Sequence, residues 1–317
     1  MVESRAKGQK ISSSTIPSAG SFILENDSRC KFLRLRPRKP LLWLNVVCLD
    51  APLVAVVWQW LFTCYLHVAV SVWARGALFL TAWLIYLVDR LADALSLQAN
   101  SPRSARQQFC LRHKKLWLGL IPAVGLVDAA IVLLHLNRDV LISGVCLSGI
   151  AAVYLAVNYA FSEVWEIIPL KEITVGFLFS AGTLLVLIPK FALIRSTMGG
   201  SSVVLAMLLF AILCSLNCMS IAVWEWDLDR AQGKHSIATR YPSIGVPVRA
   251  FCILVAVTAL LLATASASLF PIALSLSAGA ALLTVLHFVS VGRDERTALA
   301  DLVLLTPLAF LFAELLS

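Results

Sequence analysis

From residue 41 onward the chain is a succession of nine apolar stretches, at about 41–66, 69–94, 115–136, 139–160, 172–193, 201–225, 247–269, 271–291 and 298–316. Each is about 20 residues or more, the length at which a helix crosses the hydrocarbon core of a bilayer. Inside that core there is no water to bond the backbone, so a spanning segment has to satisfy its own N–H and C=O groups, as a helix does. The pattern predicts an all-α, polytopic membrane protein of about nine transmembrane helices. A soluble globule is excluded on composition: with 60% apolar and 14% charged residues there is too little polar surface to cover the rest.

The basic residues orient the chain. With the amino terminus in the cytoplasm, all but four of the 26 Lys and Arg residues fall on the cytoplasmic side, the exceptions being Arg75, Arg138, Lys190 and Arg195. This positive-inside asymmetry predicts a cytoplasmic amino terminus and a carboxyl terminus on the opposite side of a membrane, expected to be the cell inner membrane. The net charge of +8 is then a topological signal, and no motif calls for nucleic acid as a partner. Eight scattered cysteines show no ligand spacing and read as buried thiols. Residues 1–35 are polar, basic and without hydrophobic period, which predicts a disordered cytoplasmic tail. Arg34, Arg36, Arg38 and Lys39 precede the first span, where anionic lipid headgroups are the natural neighbours.

Against this background two acidic clusters stand out: Asp89-Arg90-Leu91-Ala92-Asp93 at the end of the second span and Glu225-Trp226-Asp227-Leu228-Asp229 at the end of the sixth. In each, two carboxylates four residues apart share one helix face, about 6 Å from one another. Acids at a bilayer boundary are costly, and four of them converging would repel one another unless cations intervened. Oxygen-only ligands of this kind suit Mg²⁺, which bridges protein carboxylates to substrate phosphates. Both clusters fall on the expected cytoplasmic face, each followed by a long loop, 94–114 and 230–246, able to cap a cavity. Asp227 turns to the opposite face from Glu225 and Asp229 and reads as a solvated acid.

In these residues the sequence resembles the UbiA superfamily of intramembrane prenyltransferases, whose members carry one motif near N-D-x-x-D-x-x-x-D after helix two and another near D-x-x-x-D after helix six. Ile85-Tyr86-Leu87-Val88-Asp89-Arg90-Leu91-Ala92-Asp93 matches the last two acids of the first, with Tyr86 at the place of its first acid and Ile85 at that of its Asn. Glu225 through Asp229, followed by Gly233-Lys234-His235-Ser236-Ile237, resembles the second and its G-K-x-T-L continuation, with Glu225 in place of an Asp. The resemblance covers about residues 36–317 and implies a UbiA-like transmembrane prenyltransferase domain, its helices surrounding a central cavity. It implies Asp89, Asp93, Glu225 and Asp229 as Mg²⁺ ligands and catalytic residues, and a prenyl diphosphate as donor. Lys171, where relatives carry a Lys, and Lys234 and Arg230 after the second motif would contact the diphosphate. Arg90 and Arg240 are weaker candidates, explained by positive-inside placement.

The expected reaction is transfer of an isoprenoid to an aromatic or lipophilic acceptor, with membrane lipids as surroundings. Aromatic faces, Tyr86, Trp83, Tyr154, Tyr159 and Trp224 among them, would attract the developing cation. Asp50 in the first span is an intramembrane acid and a candidate for cavity lining or acceptor binding. Asn217, two helical turns before Glu225, would line the cavity beneath the metals. Asp128, deep in the third span, and Asp301, just inside the ninth, belong to no motif. Two other readings fit the same residues: a membrane terpene cyclase that ionises the donor and quenches the cation internally, and a non-catalytic membrane protein that retains the fold.

Overall fold

The computed structural model describes residues 40–161, 163–167, 170–197 and 200–316. The expected tail, 1–35, lies outside them. The helices in chain order are α1 (Pro40–Val46), α2 (Asp50–Tyr65), α3 (Val72–Leu95), α4 (Ala105–Arg112), α5 (Lys114–His135), α6 (Arg138–Ala160), α7 (Val164–Ile167), α8 (Lys171–Thr183), α9 (Phe191–Thr197), α10 (Gly200–Trp224), α11 (Trp226–Ala231), α12 (Ile237–Arg240), α13 (Gly245–Ala265), α14 (Phe270–Leu286), α15 (Arg293–Leu302) and α16 (Leu308–Leu316). Among the described residues there is no strand. Five helical stretches are long and apolar enough to cross a membrane: α5, α6, α10, α13 and Ala267–Leu286, the last including a short 3₁₀ turn. A sixth is added if α8 and Leu185–Ser196, bent by 59°, form one span.

Nine uninterrupted helices were expected, and three of the nine segments are broken. In the first, α1 ends in a Schellman motif: Cys48 takes φ +59°, and the Leu49 N–H bonds the Leu44 carbonyl at 2.8 Å. A left-handed, non-glycine residue costs about 1–2 kcal/mol, and glycine usually stands there, so nothing in the sequence announces the break. In the fifth, Pro189 lacks an N–H and crowds the carbonyl one turn earlier, and residues Leu185–Lys190 tighten into a 3₁₀ helix. In the ninth, Pro307 separates a 3₁₀ turn, Val303–Leu305, from α16. The Leu304 carbonyl accepts the Trp58 indole N–H at 2.7 Å, so a neighbouring helix satisfies this break in the backbone ladder.

The core is centred on α10, with Phe210, Leu213 and Ala206 fully enclosed. It packs against α8 so closely that a Cβ on Gly176 would lie 2.3 Å from the Ser215 backbone nitrogen. Ser215 Oγ, donating to its own helix's Ala211 carbonyl at 2.9 Å, leaves no loose polar group in that contact. Close approach through small residues is how helices gain van der Waals contact where lipid is as apolar as their side chains. A smaller cluster joins α3 and α5 through Leu87, Leu91, Trp117 and Val124. By contrast, α6 has no fully buried residue.

Candidate functional site

The first acidic pair sits on the last turns of α3, which continues through Leu95 and keeps Asp89 and Asp93 on one face. The second straddles a junction: α10 ends at Trp224, Glu225 caps α11, and the Asp229 N–H still bonds the Glu225 carbonyl at 2.8 Å. That bond preserves the helical spacing of the two acids. Asp227 is exposed, as its position on the opposite face requires.

Two loop devices join the clusters. The run Ser104-Ala105-Arg106-Gln107 is a capping box: Ser104 Oγ accepts the Gln107 N–H at 3.4 Å and Gln107 Oε1 accepts the Ser104 N–H at 2.9 Å. Held in this way, Gln107 Nε2 donates to Asp93 Oδ2 at 2.9 Å and Arg106 Nη2 to Glu225 Oε2 at 2.6 Å. Neighbouring residues of α4 therefore grip one carboxylate of each cluster. The second device is a Schellman motif closing α11. Gly233 adopts φ +68°, its N–H bonds the Arg230 carbonyl at 3.2 Å and the Lys234 N–H bonds the Asp229 carbonyl at 2.9 Å. The chain reverses there, and Lys234 Nζ forms an ion pair with Asp93 Oδ1.

Charge at the site is mixed. Arg90 lies within electrostatic reach of Asp89 and Glu225, Lys171 and Lys234 within that of Asp229. The Asp229 carboxyl is pushed up to about 6, chiefly by burial and next by the charge of Glu225. Asp89 Oδ1 accepts the Tyr159 hydroxyl at 2.8 Å. Arg106 Nη1 and Nε and Arg90 Nε are buried without an acceptor, so donors remain for an anion after the internal ion pairs are formed. Tyr86 faces a cation: the Arg90 guanidinium lies 5.0 Å over its ring, with Nη2 3.4 Å from the hydroxyl.

The other candidates divide. Arg230 is exposed and stacks 5.4 Å over Trp226. Asp50 and Asn217 join a buried polar knot: Asn45 Nδ2 donates to Asp50 at 2.6 Å and to Asp301 at 3.3 Å, and Asn217 Nδ2 to Asp301 at 2.8 Å. Asp301 is the hub of that knot, a role its isolated position in the sequence does not reveal. Of the aromatic candidates, Trp83 donates to the Val47 carbonyl at 3.1 Å, Tyr154 packs 5.8 Å from Trp165, and Trp224 lies against His287 and Arg296. Tyr159, an aromatic candidate in the sequence, turns its hydroxyl to Asp89 instead, and Arg106, Gln107 and Thr297, whose hydroxyl is 3.3 Å from Glu225, were not among the residues singled out there. The S-x-x-Q capping signature was the available signal for α4.

Among the described residues no three His, Cys, Asp or Glu side chains converge on one metal position. Among the described residues Asp93 and Glu225 make direct ion pairs, whereas the cations near Asp229 and Asp89 act on them at longer range. The set does not form an all-protein cage. Separate carboxylates of this kind match the way Mg²⁺ is usually bound, by one or two carboxylates with water and phosphate oxygens completing the shell. A cavity of about 500 Å³ opens among α3, α5, α6 and the α8 bend; it is predominantly apolar, reaches Val88, the residue before Asp89 in the sequence, and is lined by none of the four acids. No protein-family model, curated protein or solved structure matches the chain.

Proposed function

We propose that this chain is a membrane-embedded prenyltransferase of the UbiA type, with all nine segments traversing the membrane and the acidic helix ends on the cytoplasmic face. The observation that carries the reading is α4, whose Arg106 and Gln107 tie the two acidic pairs together at the end of α3, the helix whose side chains as far as Val88 line an apolar cavity. An allylic diphosphate has matching parts, a multiply charged head and an apolar tail. Unsatisfied donors on Arg106 and Arg90, with Lys234 and Lys171 nearby, suit the head. The apolar walls from Val88 downward suit the tail and exclude water from a carbocation.

In the proposed reaction the allylic C–O bond breaks heterolytically, diphosphate leaves with the electron pair, and the acceptor captures the cation and loses a proton. Mg²⁺, when bound, would neutralise charge building on the leaving diphosphate. Asp89, Asp229 and Glu225 are the groups that would hold it. Arg106 and Lys234 position Glu225 and Asp93 and are the cations best placed to follow the departing anion. Tyr86, with Arg90 over its ring, is less suited to stabilising a carbocation than a free aromatic face would be.

Incubating the purified chain with Mg²⁺, labelled prenyl diphosphates and a panel of aromatic and lipophilic acceptors tests this. Prenylated acceptor is expected, with diphosphate release abolished in Asp93→Asn and Asp229→Asn while folding persists. Unchanged release in both variants would overturn the site assignment. A hydrocarbon or terpene alcohol formed without acceptor would replace transfer by cyclisation.

A further inference from the structure

We infer that the cavity among α3, α5, α6 and the α8 bend is a binding site for a lipophile bearing a hydroxyl group, recognised by Asp128 and Gln59 in the membrane interior. This goes beyond the reading above and would stand whether or not the acidic helix ends hold a diphosphate.

The cavity lining is apolar except for a few side chains. Asp128 on α5 and Thr81 on α3 face one another midway along it, and the Thr81 hydroxyl donates to Asp128 Oδ2 at 2.6 Å. The other oxygen, Asp128 Oδ1, has no partner, although the residue is only 7% exposed. Gln59 on α2, 1% exposed, repeats the pattern: Nε2 donates to the Thr183 carbonyl at 3.4 Å and Oε1 is unpartnered. Among the described residues no Lys or Arg is paired with Asp128. Leaving such groups buried and unmatched is costly, and an intramembrane acid is by default a candidate for function.

The chemistry of the missing partner follows from what Asp128 can do. Ionised, it needs a donor; protonated, it needs an acceptor for its own O–H. A hydroxyl serves in both states, because it donates one hydrogen and accepts through its lone pairs. An ammonium serves only the ionised acid and an ether only the protonated one. Gln59 Oε1 accepts only, so it also selects a donor. Thr81 is eight residues before Asp89 on α3, about 12 Å along the helix, so this group is separate from the acidic ends. The cavity volume of about 500 Å³ accommodates one prenyl-sized body, so the hydroxylated lipophile and the tail of a diphosphate donor would be alternative occupants.

The test measures binding of farnesol, against its methyl ether and a long-chain amine of equal length, to the full chain in detergent without diphosphate or Mg²⁺. Farnesol is expected to bind about tenfold more tightly than the ether, one buried hydrogen bond's worth. The preference should disappear in Asp128→Leu, with ether binding retained, and survive in Asp128→Asn. Gln59→Leu, which keeps the carboxyl, should weaken the preference, so the idea remains exposed if Asp128→Leu does not fold. A photoreactive farnesol analogue should label α3, α5 or α6 in the wild-type chain. Equal binding of alcohol and ether, tighter binding of the amine, or labelling confined to other helices would each overturn the inference. Loss of diphosphate release with this binding intact would count only against the prenyltransferase reading.

Discussion

Replacing Arg106 by Met would remove the cation from a carboxylate that has little else. Arg106 Nη2 lies 2.6 Å from Glu225 Oε2, with side chains 10% and 8% exposed, so neither charge is well hydrated. Removing one member of a buried pair leaves an uncompensated charge, typically at a cost of about 3–5 kcal/mol. Here the lower end applies, about 3 kcal/mol by the same rule, because the Thr297 hydroxyl still donates to Glu225 at 3.3 Å and Arg90 stands nearby. Pairing Arg106→Met with Glu225→Gln removes both charges, so the double variant should be within about 1 kcal/mol of wild type and less destabilised than the sum of the single variants. Reversible unfolding in mixed micelles of increasing SDS content, followed by circular dichroism, measures all four corners of the cycle. A single-variant cost below about 1 kcal/mol, or a double variant as unstable as the single, would refute a buried, mutually dependent pair.

Four further outcomes are expected. Gly176→Ala should destabilise severely, since its Cβ would fall 2.3 Å from Ser215 backbone; the same unfolding assay reads it, and a neutral effect would contradict the close α8–α10 approach. Gly233→Ala meets no atom within 4 Å, so its cost should be only the left-handed backbone penalty of about 1–2 kcal/mol, accompanied by weaker diphosphate binding in equilibrium titration as Lys234 loses its placement. Lys234→Ala should weaken diphosphate binding about tenfold or more while Lys234→Arg restores part of it, the loss of a charge-assisted bond. Asp229 gives a pH signature. Its folded-state pKa of about 6 exceeds the ordinary 3.8, so the folded state retains the proton longer than the unfolded chain. Its contribution to stability is full below about 4 and is lost as pH rises through about 6. Thermal unfolding of Asp229→Asn should lack this decline, and Mg²⁺ should stabilise the wild type only on the alkaline side.

Much of the site was legible because its signals are local. Asp89 and Asp93 share a face through helical spacing alone, and Glu225 and Asp229 keep theirs through one backbone bond across a helix junction. What could not be read was the partner of each acid. Arg106 carries no motif in the sequence, and only the docking of α4 makes it the counter-charge of a residue 119 positions away. Asp301 likewise gains its meaning from Asn45 and Asn217, each on a different helix.

By itself, the sequence determined the helical class and the placement of the carboxylates: long apolar segments that must be helical in lipid, and acids at the ends of the second and sixth. Helix formation and amphipathic spacing are short-range, so composition and period suffice for them. The tertiary structure alone decided where those helices break, as at Cys48, whose left-handed turn carries no glycine to mark it. It also decided which cation neutralises which acid and which oxygens are left unmatched around the cavity. These depend on which faces meet across a membrane-sized body, a long-range property set by packing between helices distant in sequence.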